Sequence, residues 1–266
     1  MCECRGAIFD SSKSGMPYGL YLSAAGANAQ SHRLEVLSHN LANINTPGFK
    51  PHLSMLQSRP TEAIERGESV AGSGTIDDLS GGVSIQPNVT QFNQGPIQKT
   101  GKKTDFAIND KESFFAVQRG DKQLLTRAGN FLFDSNGALV TPNGDPVLAS
   151  SGEPLKIEVN IPFEVMDDGA IVQSGQRRSL MLMQPKEPGD LARVGDNLYQ
   201  PLTPPTPVAD SKRNIVGGAL ESSGVQPTTA MMELIETSRV YEANVRLIQT
   251  QDQAMGQLIS RVLQQG

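Results

Sequence analysis

The last 36 residues of the chain carry a hydrophobic heptad, and that repeat limits what the whole can be. Met231, Leu234, Ser238, Tyr241, Val245, Ile248, Asp252, Met255, Ile259 and Val262 alternate steps of three and four, and eight of these ten are apolar. A seam of about 3.5-residue spacing, held over some five heptads, asks a helix to wrap a neighbouring helix. An ordinary amphipathic core helix is the alternative for a short segment; the length of this one favours a coiled coil. Pro227, Thr228 and Thr229 supply a start, since Thr caps free amides and Pro suits a first turn. Glu236 with Arg239 and Glu242 with Arg246 stand three and four residues apart, each pair contributing about 0.2–0.5 kcal/mol. Gly256 is the weak position, costing about 1 kcal/mol against Ala.

A second helix is expected over 17–45. Leu20, Ala24, Ala27, Ser31, Leu34 and Leu41 lie near heptad positions, with Leu37 and Ile44 continuing the stripe. Ala24, Ala25, Gly26, Ala27 and Ala29 are small enough to let another helix come close. Asn43 and Asn45, then Thr46-Pro47-Gly48, stop the helix through a left-handed cap and a turn, which delivers Phe49. On these residues alone, a plain helix stop with a packed aromatic suffices.

Residues 51–95 are the least patterned, and Gly/Ser-rich ESVAGSGTIDDLSGG reads as a linker or extended loop, with short strands possible at Val83, Ile85, Val89 and Phe92. From 96 to 215 the period becomes two. FFAVQ (114–118), NFLF (130–133), ALV (138–140) and SLMLMQ (179–184) are short apolar runs, and LKIEVNI (155–161) alternates, placing Leu155, Ile157, Val159 and Ile161 on one face. Ser135-Asn136-Gly137, Pro142-Asn143-Gly144 and Asp167-Asp168-Gly169 punctuate them as hairpin turns. With 26 Gly and 17 Pro in the chain, this predicts a small barrel or folded sheet. Pro201, Pro204, Pro205 and Pro207 read as a stiff polyproline-like exit.

The fold class is therefore α+β: N- and C-terminal coiled-coil-forming helices flank a central all-β domain. The expected divisions are a disordered leader or mis-assigned start (1–15), an N-terminal assembly helix and turn (16–50), a linker (51–95), an outward β domain (96–215) and a C-terminal assembly helix (216–266). Residues 1–15 hold both cysteines, Cys2 and Cys4, and lack the apolar stretch of a secretory signal, so Met16 is the expected natural start. A Cys-x-Cys pair alone does not make a metal site.

Several chemistries are disfavoured. A net charge of -5 with scattered charges argues against nucleic acid, and the Lys99, Lys102, Lys103 cluster is a solvated loop. No apolar run reaches the roughly 20 residues of a membrane span. His32 and His39 share a face but have no carboxylate pattern beside them, and His52 follows the helix; solvated or interface histidines are expected. Asp134-Ser135-Asn136-Gly137 lacks the spacing and closing Glu of a calcium loop. Gly72-Ser73-Gly74 has no following Lys, and no Gly-x-Ser-x-Gly elbow is present. Neither catalytic residues nor a cofactor or metal site is expected, and an enzyme is not.

These segments resemble bacterial flagellar rod and hook proteins. SHNLANINTPGFK (38–50) resembles the family's N-terminal signature, and MPYGLYLSAAGANAQ (16–30) its opening. GKKTDFAINDKESFFAVQ (101–118) and LLTRAGNFLFDSNGALVTPNGDPVL (124–148) are similar to the rod-type β domain, and GGALESSGVQPTTAMMELIETSRVYEANVRLIQTQDQAM (217–255) to the C-terminal helix entry. The segments are collinear over 16–262. Two departures stand out: the family usually has Gly-Asn-Pro-Leu-Asp where this chain has Gly101-Lys102-Lys103-Thr104-Asp105, and Gly-Asp-Gly-Phe-Phe where it has Lys111-Glu112-Ser113-Phe114-Phe115. Local loops there are expected to differ.

The resemblance implies a structural subunit of the basal-body rod that polymerises helically and is exported by the flagellar type III apparatus without a cleaved signal. Its partners would be itself, other rod and hook proteins and that apparatus, with neither nucleic acid nor membrane insertion. The place would be the periplasm-spanning rod. Asn40, Leu41, Ala42, Asn43, Pro47, Gly48 and Phe49 would shape the junction after the first helix. Tyr241, Glu242, Asn244, Val245 and Ile248 would pack in an inner tube, alongside the seam residues Met231, Leu234, Met255 and Ile259. Thr46-Pro47-Gly48 and the moderate length lean towards the proximal rod, with the distal rod open. The middle region leaves less room than a hook subunit's outer insertion requires. From a different class, an extracellular β-domain binding module oligomerised by coiled-coil helices is the alternative; a secreted hydrolase lacks a nucleophile with a base.

Overall fold

Two long helices begin and end the described chain. In this computed structural model the described residues are 18–68, 70, 72, 81–158, 161–166, 169–209 and 212–264, so the reading of residues 1–15 and of Met16 lies outside them. The first helix, α1 (Tyr18–Ala42), ends where Asn43, Asn45 and Pro47 stop it. Then come β1 (His52–Ser58), the short α2 (Glu62–Glu65) and β2 (Val83–Thr90). The β region follows as β3 (Ile97–Lys99), β4 (Phe106–Ile108), β5 (Phe114–Arg119), β6 (Lys122–Thr126), β7 (Leu132–Phe133), β8 (Leu139–Val140), β9 (Glu164–Val165), β10 (Ile171–Gln173) and β11 (Gln176–Arg178). It continues as β12 (Leu182–Gln184), β13 (Leu191–Gly195), β14 (Leu198–Pro201), β15 (Thr206–Pro207), β16 (Ile215–Gly217) and β17 (Ala219–Glu221). The last helix, α3, spans Pro227–Gln264 and starts at the proline expected for it.

The chain forms two compact units. Of the described residues, one holds those from Tyr18 to Leu37, within Ser54–Asn88 and from Met232 to Gln264; the other holds those within Ser38–Leu53 and Val89–Met231.

In the helical unit, α1 meets α3 at its glycines. A Cβ on Gly26 would stand 3.4 Å from the Asn244 side chain, and one on Gly19 would stand 3.1 Å from Gln251. The contacts advance seven residues along one helix and recede seven along the other, so the pair is antiparallel. The stripe expected on α1 holds in part: Ala27 and Leu37 are buried and Leu20, Leu34, Leu41 and Ile44 half-buried, but Ala24 and Ser31 are exposed, and Ala29 and Val36 are buried outside it.

Within 51–95, β1 and β2 pair as a ribbon where an extended loop was expected, while most of ESVAGSGTIDDLSGG (69, 71 and 73–80) lies outside the described residues. Arg59 N donates to Gly82 O at 2.9 Å, and Gln57 and Gln86 join side chains at 3.1 Å. Ladder bonds and polar cross-strand pairs hold this ribbon, so it needs no apolar face of its own. It lies on α1 through His32, bonded to Asn88 at 2.9 Å, and through Gly82 against Tyr21 and Ala25.

In the β unit the longest sheet runs β13-β14-β6-β5-β12-β15, with all pairs antiparallel. Its central strands are buried on both faces, which explains the unbroken apolar run in FFAVQ. Phe115, Val117 and Leu124 enter one core with Phe106, Phe131 and Leu139; Phe114, Ala116 and Leu125 enter a second with Leu148 and Tyr199. Phe115 and Phe131 meet edge to face at 5.3 Å. The other strands of this unit form two-stranded pairs, β3 with β17, β4 with β16 and β7 with β8, and a three-stranded sheet, β9-β10-β11.

The β region thus reaches Glu221, six residues beyond the expected boundary, and closes on strands from its own beginning. LKIEVNI alternates over 155–158, with Leu155 and Ile157 buried and Lys156 and Glu158 exposed, but there it makes one isolated bridge, Lys156 to Ala138, in place of a strand; Val159 and Asn160 lie outside the described residues. The proline-rich exit is also revised: Pro201 ends β14, and Pro207 sits in β15 at the sheet edge, where a missing amide donor costs no ladder bond. At one departure from the family pattern, Asp110 Oδ1 accepts from Glu112 N and Ser113 N at 2.9 and 2.7 Å, holding the turn without glycine.

Phe115 is fully buried at the centre of the larger core. Phe115→Ala is expected to lower unfolding free energy by about 3–5 kcal/mol, read from urea denaturation.

Candidate assembly interface

Four polar residues of the NLANINTPGFK stretch, Asn40, Asn43, Thr46 and Lys50, make assignable side-chain hydrogen bonds. Asn40, buried, clasps the backbone of β1: its Nδ2 donates to His52 O at 2.8 Å, and His52 N donates to its Oδ1 at 2.9 Å. Asn43 Nδ2 donates to His39 O at 2.9 Å, capping the helix end, and Asn43 Oδ1 accepts from Thr46 Oγ1 at 3.3 Å. Pro47 O accepts from Asn197 Nδ2 at 3.3 Å. Gly48 has φ +66°, and a Cβ there would lie 2.4 Å from the Arg127 carbonyl carbon, so this position accepts glycine alone. Phe49 is fully buried, with the Arg193 guanidinium 5.1 Å from its ring centroid and His39 at 5.7 Å.

Lys50, next in sequence, is 1% exposed. Its Nζ donates to Glu221 Oε1 at 2.6 Å and to Asn93 O at 2.7 Å. Glu221, also 1% exposed, accepts from Gly95 N at 2.8 Å and faces Arg127 Nη1 at 3.5 Å. Arg127 Nη1 donates to Asp110 O at 2.6 Å, and its guanidinium lies 4.9 Å from the Phe114 ring centroid. Burial pushes the pKa values of Lys50 and Arg127 down, and Glu221 opposes both shifts. Backbone bonds run alongside: Gly48 N donates to Glu221 O at 2.8 Å and Gly224 N to Phe49 O at 3.0 Å. The turn after α1 is thereby stitched to β17, just ahead of α3.

A polar cleft of about 540 Å³ opens beside this joint, lined by His39, His52, Asp145, Arg193 and Asp196 among others. Its charges engage one another: Arg119 holds Asp145 at 2.7 Å and Asp196 at 3.1 Å, and Arg193 Nη1 meets His52 Nε2. Asp196 and Asn197 form the two-residue hairpin loop between β13 and β14, with φ of +52° and +57°. That Asp-Asn pair is a turn signal the reading of hairpins passed over.

On α3 the expected seam divides. Leu234, Tyr241, Asn244, Val245 and Ile248 are half-buried, while Met231, Glu242, Met255 and Ile259 are exposed. Leu41, Asn43 and Pro47 are half-buried and Ala42 is exposed. Outside the seam, Ile235, Val240, Leu247, Leu258 and Leu263 are also exposed. So much apolar surface along one helix marks an interaction face. Glu242 and Arg246 stand 3.8 Å apart on the exposed side, which is worth little. Sequence reasoning did not single out Arg127, Arg193 or Glu221 as site residues. The two ends of the Lys50–Glu221 pair are 171 residues apart, so no local pattern announces it.

Among the described residues, no group of three His, Cys, Asp or Glu side chains is placed to hold a metal, and no helix is long and apolar enough to cross a membrane.

Two outcomes follow from the joint. Lys50→Met strands a buried carboxylate and is expected to cost about 3–5 kcal/mol by urea denaturation, against about 0.5 kcal/mol or less for Lys102→Met at the surface. His52 is held down to about 4 by burial, then by Arg193 and His39, and His39 is lowered as well. The unfolded chain takes up these protons near pH 6.5 and the native one at lower pH. Stability is thus complete above about pH 6.5 and declines as pH falls towards 4. His52→Gln should flatten that decline in urea midpoints measured across the range.

Three family models match in chain order. Residues 20–50 match "Flagella basal body rod protein", 107–176 match "Flagellar hook protein FlgE/F/G D1 domain", and 216–261 match "Flagellar basal body rod FlgEFG protein C-terminal". The chain is 34% identical over 238 residues to the flagellar basal-body rod protein FlgF of Caulobacter vibrioides, covering 88% of this chain and 93% of that one. It is 32% identical over 263 residues to the flagellar basal-body rod protein FlgG of Buchnera aphidicola subsp. Acyrthosiphon pisum, covering 90% and 97%. To the flagellar hook-basal body complex protein FlhO of Bacillus subtilis it is 29% identical over 266 residues, covering 92% and 98%.

Proposed function

Because the chain belongs to the flagellar basal-body rod protein family, we propose that it works as a structural subunit of the rod, polymerising helically through α1 and α3 with copies of itself and with other rod and hook proteins. The observation that carries this reading is the exposed apolar surface of α3, from Met231 to Leu263. Each Leu- or Val-sized side chain moved from water into a packed seam contributes about 1.5–3 kcal/mol. A dozen-odd partly wet positions therefore hold ample free energy for assembly, released when neighbouring helices cover them as a coiled coil.

In this account the β unit is the outward body, and the Asn40–Phe49 turn is the junction that joins it to the assembly helices. The rod so built spans the periplasm and transmits torque. Subunits reach it through the flagellar type III apparatus without a cleaved signal. Relatives named flagellar basal-body rod protein FlgF and FlgG both match over most of their length, which supports a place in the rod.

Val245→Asp places a carboxylate in the half-buried seam, and Leu258→Asp places one on the exposed stripe. Both variants should keep the β unit folded by near-ultraviolet circular dichroism. Incorporation into purified basal bodies should drop by about tenfold or more, since desolvating a charge exceeds 1.4 kcal/mol. Wild-type incorporation of both would refute the helical interface.

A further inference from the structure

Gly26 stands opposite Asn244 and Gly19 opposite Gln251, so the start of described α1 at Tyr18 falls beside Asp252. Beyond that point α3 runs on from Gln253 to Gln264, about 18 Å. The heptad runs on with it. Leu234, Tyr241, Val245 and Ile248 are half-buried, whereas Met255, Ile259 and Val262, at the same heptad positions, are 42%, 56% and 71% exposed. The end of α3 thus continues a helix seam with its apolar side uncovered. A second uncovered face lies further back. Val240 and Leu247 each precede a seam residue, Tyr241 and Ile248, so they stand about 100° round the helix from it. They are seven apart, and 41% and 52% exposed.

We propose that Met255, Ile259 and Val262 of one copy dock on Val240 and Leu247 of a second copy, head to tail. This deepens the assembly reading above and rests on it. One helix cannot make the contact with itself, because Ile259 is about 28 Å along α3 from Val240. Both faces are apolar and both repeat at seven, the condition for side chains of one helix to enter the spaces of another. A third candidate, the open side of α1, carries Asn28, Ser31 and Glu35 and offers far less apolar area. The two faces of α3 differ, so the contact is heterologous, and each added subunit leaves one face of each kind free. Contact between two identical ends would stop at a dimer. A subunit of a helical polymer needs the first arrangement.

The test uses the full chain with Cys2→Ser and Cys4→Ser as parent, carrying Val240→Cys with Ile259→Cys, or Leu247→Cys with Ile259→Cys. Within one chain these pairs are about 28 and about 18 Å apart, beyond the roughly 7 Å a disulfide spans, so any bond joins two chains. Basal bodies are purified, mildly oxidised and immunoblotted without reductant. At least one double variant should give a ladder at multiples of the chain mass, and each single-cysteine variant should stay monomeric. Dimers from Ile259→Cys alone would mean that identical ends meet. A product of another mass would place a different rod protein there. Either result overturns the proposal. So would the absence of bonds between copies in both doubles, whether they enter unlinked or fail to enter while the parent does; the rod assignment would then still stand. Absence of the parent itself from basal bodies would instead overturn the rod assignment, and this contact with it.

Discussion

The buried Lys50–Glu221 pair is the constraint on which the β unit depends. It joins residues near opposite ends of the chain at 2.6 Å, with both side chains 1% exposed. Two charges taken out of water are costly unless every remaining hydrogen-bonding site is filled. Here Asn93 O, Gly95 N and Arg127 supply what the pair leaves open. The geometry leaves little tolerance, so the turn after α1 and the strand before α3 are held in one place. Phe49, Gly48 and the Asn40 clasp on β1 depend on that placement.

The β unit achieves rigidity by the opposite means. Phe114 and Phe115 point to opposite faces of one strand and enter two separate cores, so the sheet is dry on both sides at its centre. Its small outer pairs close strands from the start of the domain against strands from its end, β3 on β17 and β4 on β16. These pairs bring the first and last strands of the β unit together.

Legibility in the sequence followed the range of the interaction. The two long helices, the Pro227 start, and the hairpin turns at Gly137 and Gly144 were readable because caps, heptads and turn residues act within a few positions. The β1–β2 ribbon was not, since its pairing rests on backbone ladders between polar strands. On α1 the small residues around Gly26 were readable as a place where another helix comes close, whereas the exposure of Ala24 and Ser31 within the stripe was not. The NTPGFK turn could be read as a helix stop, but its ion pair could not, because Glu221 sits in an unremarkable ALESSG stretch. Family resemblance supplied what local physics could not, namely the flagellar rod family to which the chain belongs.

The most direct test of the rod assignment is electron microscopy of basal bodies from a host lacking this gene. The account predicts truncated or missing rods in a non-motile strain, with the truncation point separating a proximal from a distal subunit. Complete rods carrying hooks would contradict it.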